Sequence, residues 1–192
     1  MYPIMRMIGV DRRARRAGPL EIFDTDVTEV RIWPIDIDIF LELNNGRTLT
    51  FYDLGRIPLA RRTGLIEMLR RERWGMTMAG ASVRYRARIR TFELIEMRSR
   101  CVGWDARFVY IEQSMWKGQT CCNQIVYRSA MTGPEGIVPT ERVMQALGVD
   151  PVSPTLPDWI QAWIEAEDRR PWPPQEAEFI SVAKQEDWLN SA

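Results

Sequence analysis

The chain has 192 residues and a mass of 22.4 kDa, with 45% hydrophobic and 27% charged residues, enough to bury the core of one domain with an appendage. Twenty-six basic residues balance 26 acidic ones, which removes any whole-chain argument for nucleic acid or an anionic membrane as partner. There is no histidine, so Ser-His-Asp and Cys-His triads, imidazole metal ligands and His/Asp pairs are excluded, and acid–base work falls to carboxylates, Tyr, Lys, Cys or bound water.

Residues 1–24 begin with a short apolar run, interrupted by Arg6 and followed by Arg12, Arg13, Arg15 and Arg16. This reverses the order of a signal peptide and reads as a frayed, solvated N-terminal arm. No run approaches the roughly 20 apolar residues of a membrane span. Three scattered cysteines (Cys101, Cys121, Cys122) suit neither a disulfide framework nor a metal site, so a cytoplasmic protein is expected. Val27 to Trp33 alternates as a strand that Pro34 ends. After a loop from Asp36 to Leu43, Asn44-Asn45-Gly46 offers an N-cap. Leu49, Tyr52, Leu54, Ile57 and Ala60 then form a helical apolar stripe, in which Pro58 is expected to kink or end the helix. Thr63-Gly64 marks a turn before a second helix reaching about Arg73.

Beyond Gly75 the period falls to two. Val83, Tyr85, Ala87 and Ile89 alternate with Arg84, Arg86, Arg88 and Arg90, which predicts a long strand with one basic face. Strand-like runs follow at 92–103, 107–116 and 119–131, the last two joined at Lys117-Gly118 as a tight hairpin. Pro139-Thr140-Glu141 opens a helix to about Leu147. A composition break at Gly148 to Pro151 sets off a 149–192 extension holding half of the 12 prolines and half of the eight tryptophans. Charge is split too: residues 1–100 carry a net +6 and 101–192 a net −6. In the extension, Trp159, Ile160, Trp163 and Ile164 predict a short helix with an aromatic stripe, and Pro171 to Pro174 an extended arm; both are expected to dock on the core or a partner subunit. The order of strand, helix and four long antiparallel strands predicts an α+β sheet wrapping one helix.

The segment from Trp33 to Arg56, WPIDIDIFLELNNGRTLTFYDLGR, resembles the signature of hot-dog-fold acyl-CoA thioesterases of the 4-hydroxybenzoyl-CoA thioesterase-like branch. Asp38 falls on the motif aspartate, Asn44-Asn45 on its Asn pair, and Asp53 to Arg56 on its acidic-x-x-Arg run. The chain departs from that signature where Glu42 takes the usual His place and Thr48 the usual Tyr place. The resemblance covers residues 25–148. It implies a hot-dog fold, a long antiparallel sheet around a central helix, with the Trp/Pro-rich extension outside it. It also implies a homodimer or homotetramer, an acyl-CoA or acyl carrier protein thioester as substrate, and no metal or redox cofactor.

Thioester hydrolysis does not need imidazole: a carboxylate can activate water or attack the carbonyl, and the free amides of a helix N-terminus can hold the oxyanion. Asn45, Gly46 and Arg47 are the candidate amide donors. Asp38 is the first choice as base or nucleophile, Glu42 the second and Asp53 the third. Asp53 reads first as a surface acid paired with Arg56 or Arg47, and Asn44 as the cap rather than a substrate contact. For Arg84 and Arg86, and the stripe they open, three readings stand: a solvated sheet face, a face salt-bridged to the acidic extension, and an anchor for CoA phosphates. The rival to hydrolysis is a catalytically weak acyl-thioester binding or assembly protein that retains the fold.

Overall fold

A computed structural model describes residues 3–173. The chain divides into two compact units, one running through Thr155 and the other starting at Leu156. In the first, helix α1 (Ile4–Arg16) precedes strand β1 (Asp26–Arg31), a 3₁₀ turn at Pro34–Asp36, and helices α2 (Asn45–Arg62) and α3 (Leu65–Glu72). Strands β2 (Gly75–Tyr85), β3 (Leu94–Trp104), β4 (Val109–Lys117) and β5 (Thr120–Gly133) follow, then the short β6 (Gly136–Ile137) and helix α4 (Thr140–Leu147). The strands pair antiparallel in the order β1-β3-β4-β5-β2, with β6 on β5, so β1 and β2 are the edges.

Register shifts at Met78/Gly80, Cys101/Gly103 and Met115/Trp116 bend the strands, and the sheet curls around α2. Phe51, Tyr52 and Leu54 of α2 meet Ile95, Met97, Met115 and Ile125 of the sheet, all fully buried. Gly55 allows the close approach: a Cβ there would stand 2.8 Å from Ser99 Oγ and 3.0 Å from Gln113 Nε2. This is the hot-dog arrangement, an α+β fold as the sequence predicts. The hairpin turns with Gly118 at φ 56° and pairs Lys117 with Thr120.

Four expectations need correction. Residues 4–16 are not a frayed arm but a helix, because Met7, Val10 and Ala14 recur at helical spacing and pack inward on the core. Ion pairs from Arg61 to Asp11 and from Arg6 to Asp36 (2.9 Å) fasten it. Pro58 does not end α2, which continues to Arg62; the ring is buried, and packing on both sides of the helix outweighs one lost hydrogen bond. The buried face of α2 also differs from the predicted stripe: Leu49 is exposed, while Phe51, Gly55 and Arg56 are buried. Finally, β2 spans Gly75–Tyr85 rather than running to residue 90. After Tyr85 the chain leaves the ladder: the amides of Arg86 and Ala87 both donate to the Cys122 carbonyl (2.8 and 3.0 Å), and the Ile89 carbonyl accepts from Leu43 N–H (2.8 Å). Only Arg84 of the basic stripe therefore lies in a strand, so no basic sheet face forms.

In the second unit, α5 (Asp158–Arg169) carries Trp159, Ile160, Trp163 and Ile164 as the sequence predicts, with Gln161 Nε2 donating to the Leu156 carbonyl (2.6 Å). The remainder of the extension from Pro174, including Trp188, lies outside the described residues.

Candidate active site

The entrance to α2 is organised by two side chains. Asn44 Oδ1 accepts from the amides of Gly46 (2.9 Å) and Arg47 (3.2 Å), as an N-cap does. Of the three predicted amide donors, two are thereby occupied, and Asn45 is the one left without an acceptor among the described residues. Asp36, fully buried, accepts from Arg47 (2.7 Å) and the Trp33 amide (2.9 Å) and is ion-paired with Arg6 (2.9 Å). Burial opposes its ionisation, but the hydrogen bonds from Arg47, Trp33 and Arg6 outweigh burial and hold the carboxyl below the usual aspartate range. Arg47 thus serves the loop through its side chain. The sequence reading passed over Asp36, whose signal was only its place two residues before Asp38.

Asp38 faces its own loop. Its Oδ1 accepts from Phe40 N–H (2.8 Å), its amide donates to the Glu42 carbonyl (2.9 Å), and its carbonyl accepts from Leu41 N–H (3.1 Å). This turn holds Leu41 at φ 60°, a left-handed conformation costly for a leucine, and puts Ile39, Phe40 and Leu41 at an exposed tip. Glu42 lies at the base of the turn, with Arg88 Nε 3.1 Å from its carboxylate.

Between the start of α2 and the end of β2 is a pocket of about 360 Å³. Glu42, Leu43, Asn45 and Thr48 form one wall, and Tyr85, Arg86, Arg88, Ile89 and Asn123 the other. The structure therefore gathers Glu42, Asn45 and Arg86 of the predicted residues, and leaves Asp38, Asn44, Gly46, Arg47, Asp53 and Arg84 outside the lining. Asp53 pairs with Arg56 one turn along α2, the surface-acid reading. Arg56 is itself buried, donates to Gln113 Oε1 (3.3 Å) and stacks 4.1 Å from the Tyr127 ring centroid. Thr48, in the family's Tyr place, is buried and donates to the Asn44 carbonyl (3.2 Å).

The sequence reading also missed Asn123. It is 3% exposed on β5 and accepts a hydrogen bond from the buried Tyr52 hydroxyl. Burial pushes the Tyr52 phenol far above its usual value, so it stays a neutral donor. Its neighbour Gln124 is polar too, so the local sequence carried little signal. The thiols are poor nucleophiles here: burial raises all three, Cys101 to about 11.

Residues 32–164 match the family model described as the thioesterase-like superfamily. The chain belongs to the thioesterase-like superfamily. It is 29% identical over 140 residues to Protein THEM6 of Xenopus laevis, covering 71% of this chain and 66% of that protein. The chain thus spans about two thirds of that relative's length. Among solved structures it is similar to the probable thioesterase YbaW of Escherichia coli, with a TM-score of 0.60 and 12% identity over 63% of this chain and 95% of that one. It is also similar to Slr0204, a 1,4-dihydroxy-2-naphthoyl-CoA thioesterase from Synechocystis, with a TM-score of 0.55 and 11% identity over 65% and 95%. These likenesses bear out the hot-dog fold, and the family supports thioester hydrolysis in general. Among the described residues, no helix is long and apolar enough to cross a membrane.

Proposed function

We propose that this thioesterase-like protein hydrolyses acyl-CoA thioesters in the pocket at the start of α2, without a metal. The supporting observation is that a carboxylate (Glu42), an uncommitted helix N-terminal amide (Asn45) and a guanidinium (Arg86) line one pocket. In this reading the thioester oxygen accepts from the Asn45 amide, where the helix dipole favours the developing negative charge. Glu42 takes a proton from water as its oxygen bonds to the acyl carbon. The tetrahedral intermediate then collapses, the C–S bond breaks, and the proton held by Glu42 passes to the departing CoA thiolate. Arg86 and Arg88 attract the phosphates of CoA, or the phosphopantetheine of an acyl carrier protein. Asp38 shapes the loop that carries Glu42 and so acts as a positioning residue.

We further infer a homodimer working in the cytoplasm. Edge strand β2 is 11 residues long with one side unpaired among the described residues, and the apolar tip at Ile39, Phe40 and Leu41 is open to a second copy. One observation favours the rival, thioester binding without turnover: Glu42 is already ion-paired with Arg88. Thiol release from a panel of short, long and aromatic acyl-CoAs, with and without chelator, decides. Release unaffected by chelator is expected. Loss on chelation overturns the metal-free mechanism, and no release from any ester overturns hydrolysis in favour of binding.

A further inference from the structure

The pocket wall carries polar groups from both α2 and β5. Tyr52 makes its one side-chain hydrogen bond to Asn123. Tyr52 donates to the carboxamide oxygen of Asn123, the arrangement that satisfies the buried phenol O–H, and this orients the amide. The Asn123 NH₂ group is then the end left for the pocket: it has no acceptor among the described residues, and it is not among the sealed polar atoms. Asn123 and the Asn45 amide line the same pocket. The Asn123 NH₂ thus offers a donor to a substrate oxygen besides the one held at Asn45.

Farther along α2 the helix is seated closely on the sheet. At Gly55 the helix backbone rests against Ser99 and Gln113, with no room even for a methyl group, and Gln113 Nε2 donates both to Ser99 Oγ (2.7 Å) and to the Tyr52 carbonyl (2.9 Å). A separate apolar cavity of about 30 Å³ lies beneath the second half of α2, lined by Leu59, Cys101, Ile111 and Met131. An aliphatic chain seated against Asn123 would leave its carboxamide unpaired.

Resting on the thioester reading above, we propose that Asn123, oriented by Tyr52, selects acyl groups that carry a hydrogen-bond acceptor over purely aliphatic ones. A site built to hydrogen-bond a substrate oxygen penalises the analogue lacking it, since its own donor is left buried and unpaired. The test is calorimetric binding of dethia analogues, in which CH₂ replaces the thioester sulfur, of 3-hydroxybutyryl-, butyryl- and decanoyl-CoA. The hydroxylated analogue should bind about 10-fold or more tighter than butyryl or decanoyl. Asn123→Leu should erase the preference through loss on the hydroxylated analogue. Tyr52→Phe, which removes only the hydroxyl, should reduce it about 3-fold to 10-fold by freeing the amide to turn. A purely structural role would weaken all three analogues alike.

Butyryl or decanoyl binding as tightly as 3-hydroxybutyryl, or a preference that survives Asn123→Leu, overturns the proposal. Hydrolysis fails separately: absent thiol release from 3-hydroxybutyryl-CoA, with discrimination among the analogues intact, refutes turnover and upholds the selectivity. Absence of binding by all three overturns both.

Discussion

Replacing Glu42 with glutamine separates chemistry from folding. Its ion pair with Arg88 joins side chains that are 32% and 70% exposed, so it contributes at most about 1 kcal/mol. Glutamine keeps an acceptor for Arg88, and the backbone bond from Asp38 N–H to the residue 42 carbonyl is untouched. The melting temperature should therefore fall by no more than about 4 °C for a chain of this size. Loss of the base, by contrast, should lower kcat by about 10²–10⁴, or roughly 3–5 kcal/mol of barrier. Asp38→Asn retains an oxygen to accept from Phe40 N–H and loses only the charge-assisted part of one bond, about 0.5–1 kcal/mol, so turnover should drop less than about ten-fold. Steady-state thiol release gives kcat and KM, and thermal denaturation gives the stability of each variant. A collapse for Asp38→Asn with near-normal turnover for Glu42→Gln would move the chemistry to Asp38. Indifference to both would refute a carboxylate mechanism.

Gly55→Ala should destabilise the protein by about 1–3 kcal/mol in chemical denaturation, since its Cβ must displace Ser99 and Gln113; an unchanged midpoint would show that α2 is not seated as described. Asp36→Asn should cost about 2–3 kcal/mol, below the range for a fully buried pair because Arg6 and Arg47 keep about a fifth of their side-chain surface in water. Because the folded carboxyl titrates below 3.8, that stabilisation is fully present above pH 3.8 and is lost as pH falls through the folded value. The gap between wild type and variant should thus be constant from pH 5 to 8 and close in strong acid; a gap that changes between pH 5 and 8 would refute this assignment. Light scattering should give at least twice 22.4 kDa, and a stable monomer at micromolar concentration would contradict pairing through β2.

Local chemistry was legible wherever a segment's own neighbours decide its shape. Asn44 caps α2 as read, because capping needs only the next three residues, and Gly118 turns the hairpin for the same reason. The strand-like runs at 92–103, 107–116 and 119–131 became β3, β4 and β5 with ends shifted by one or two residues. Tertiary contacts decided the rest. Pro58 is tolerated mid-helix, and residues 4–16 are helical, because packing supplies more than the local cost. The basic alternation beyond Tyr85 has the period of a strand, yet Arg86 and Ala87 share the single Cys122 carbonyl and the ladder stops. Above all, the site depends on residues far apart in the chain. Glu42 and Asp38 look alike in sequence, and only the closing of the loop aims one at the pocket and the other at its own backbone. Asn123 lies 71 positions from Tyr52. Their hydrogen bond exists because the curled sheet brings β5 under α2, and no period or motif in the chain encodes a contact at that separation.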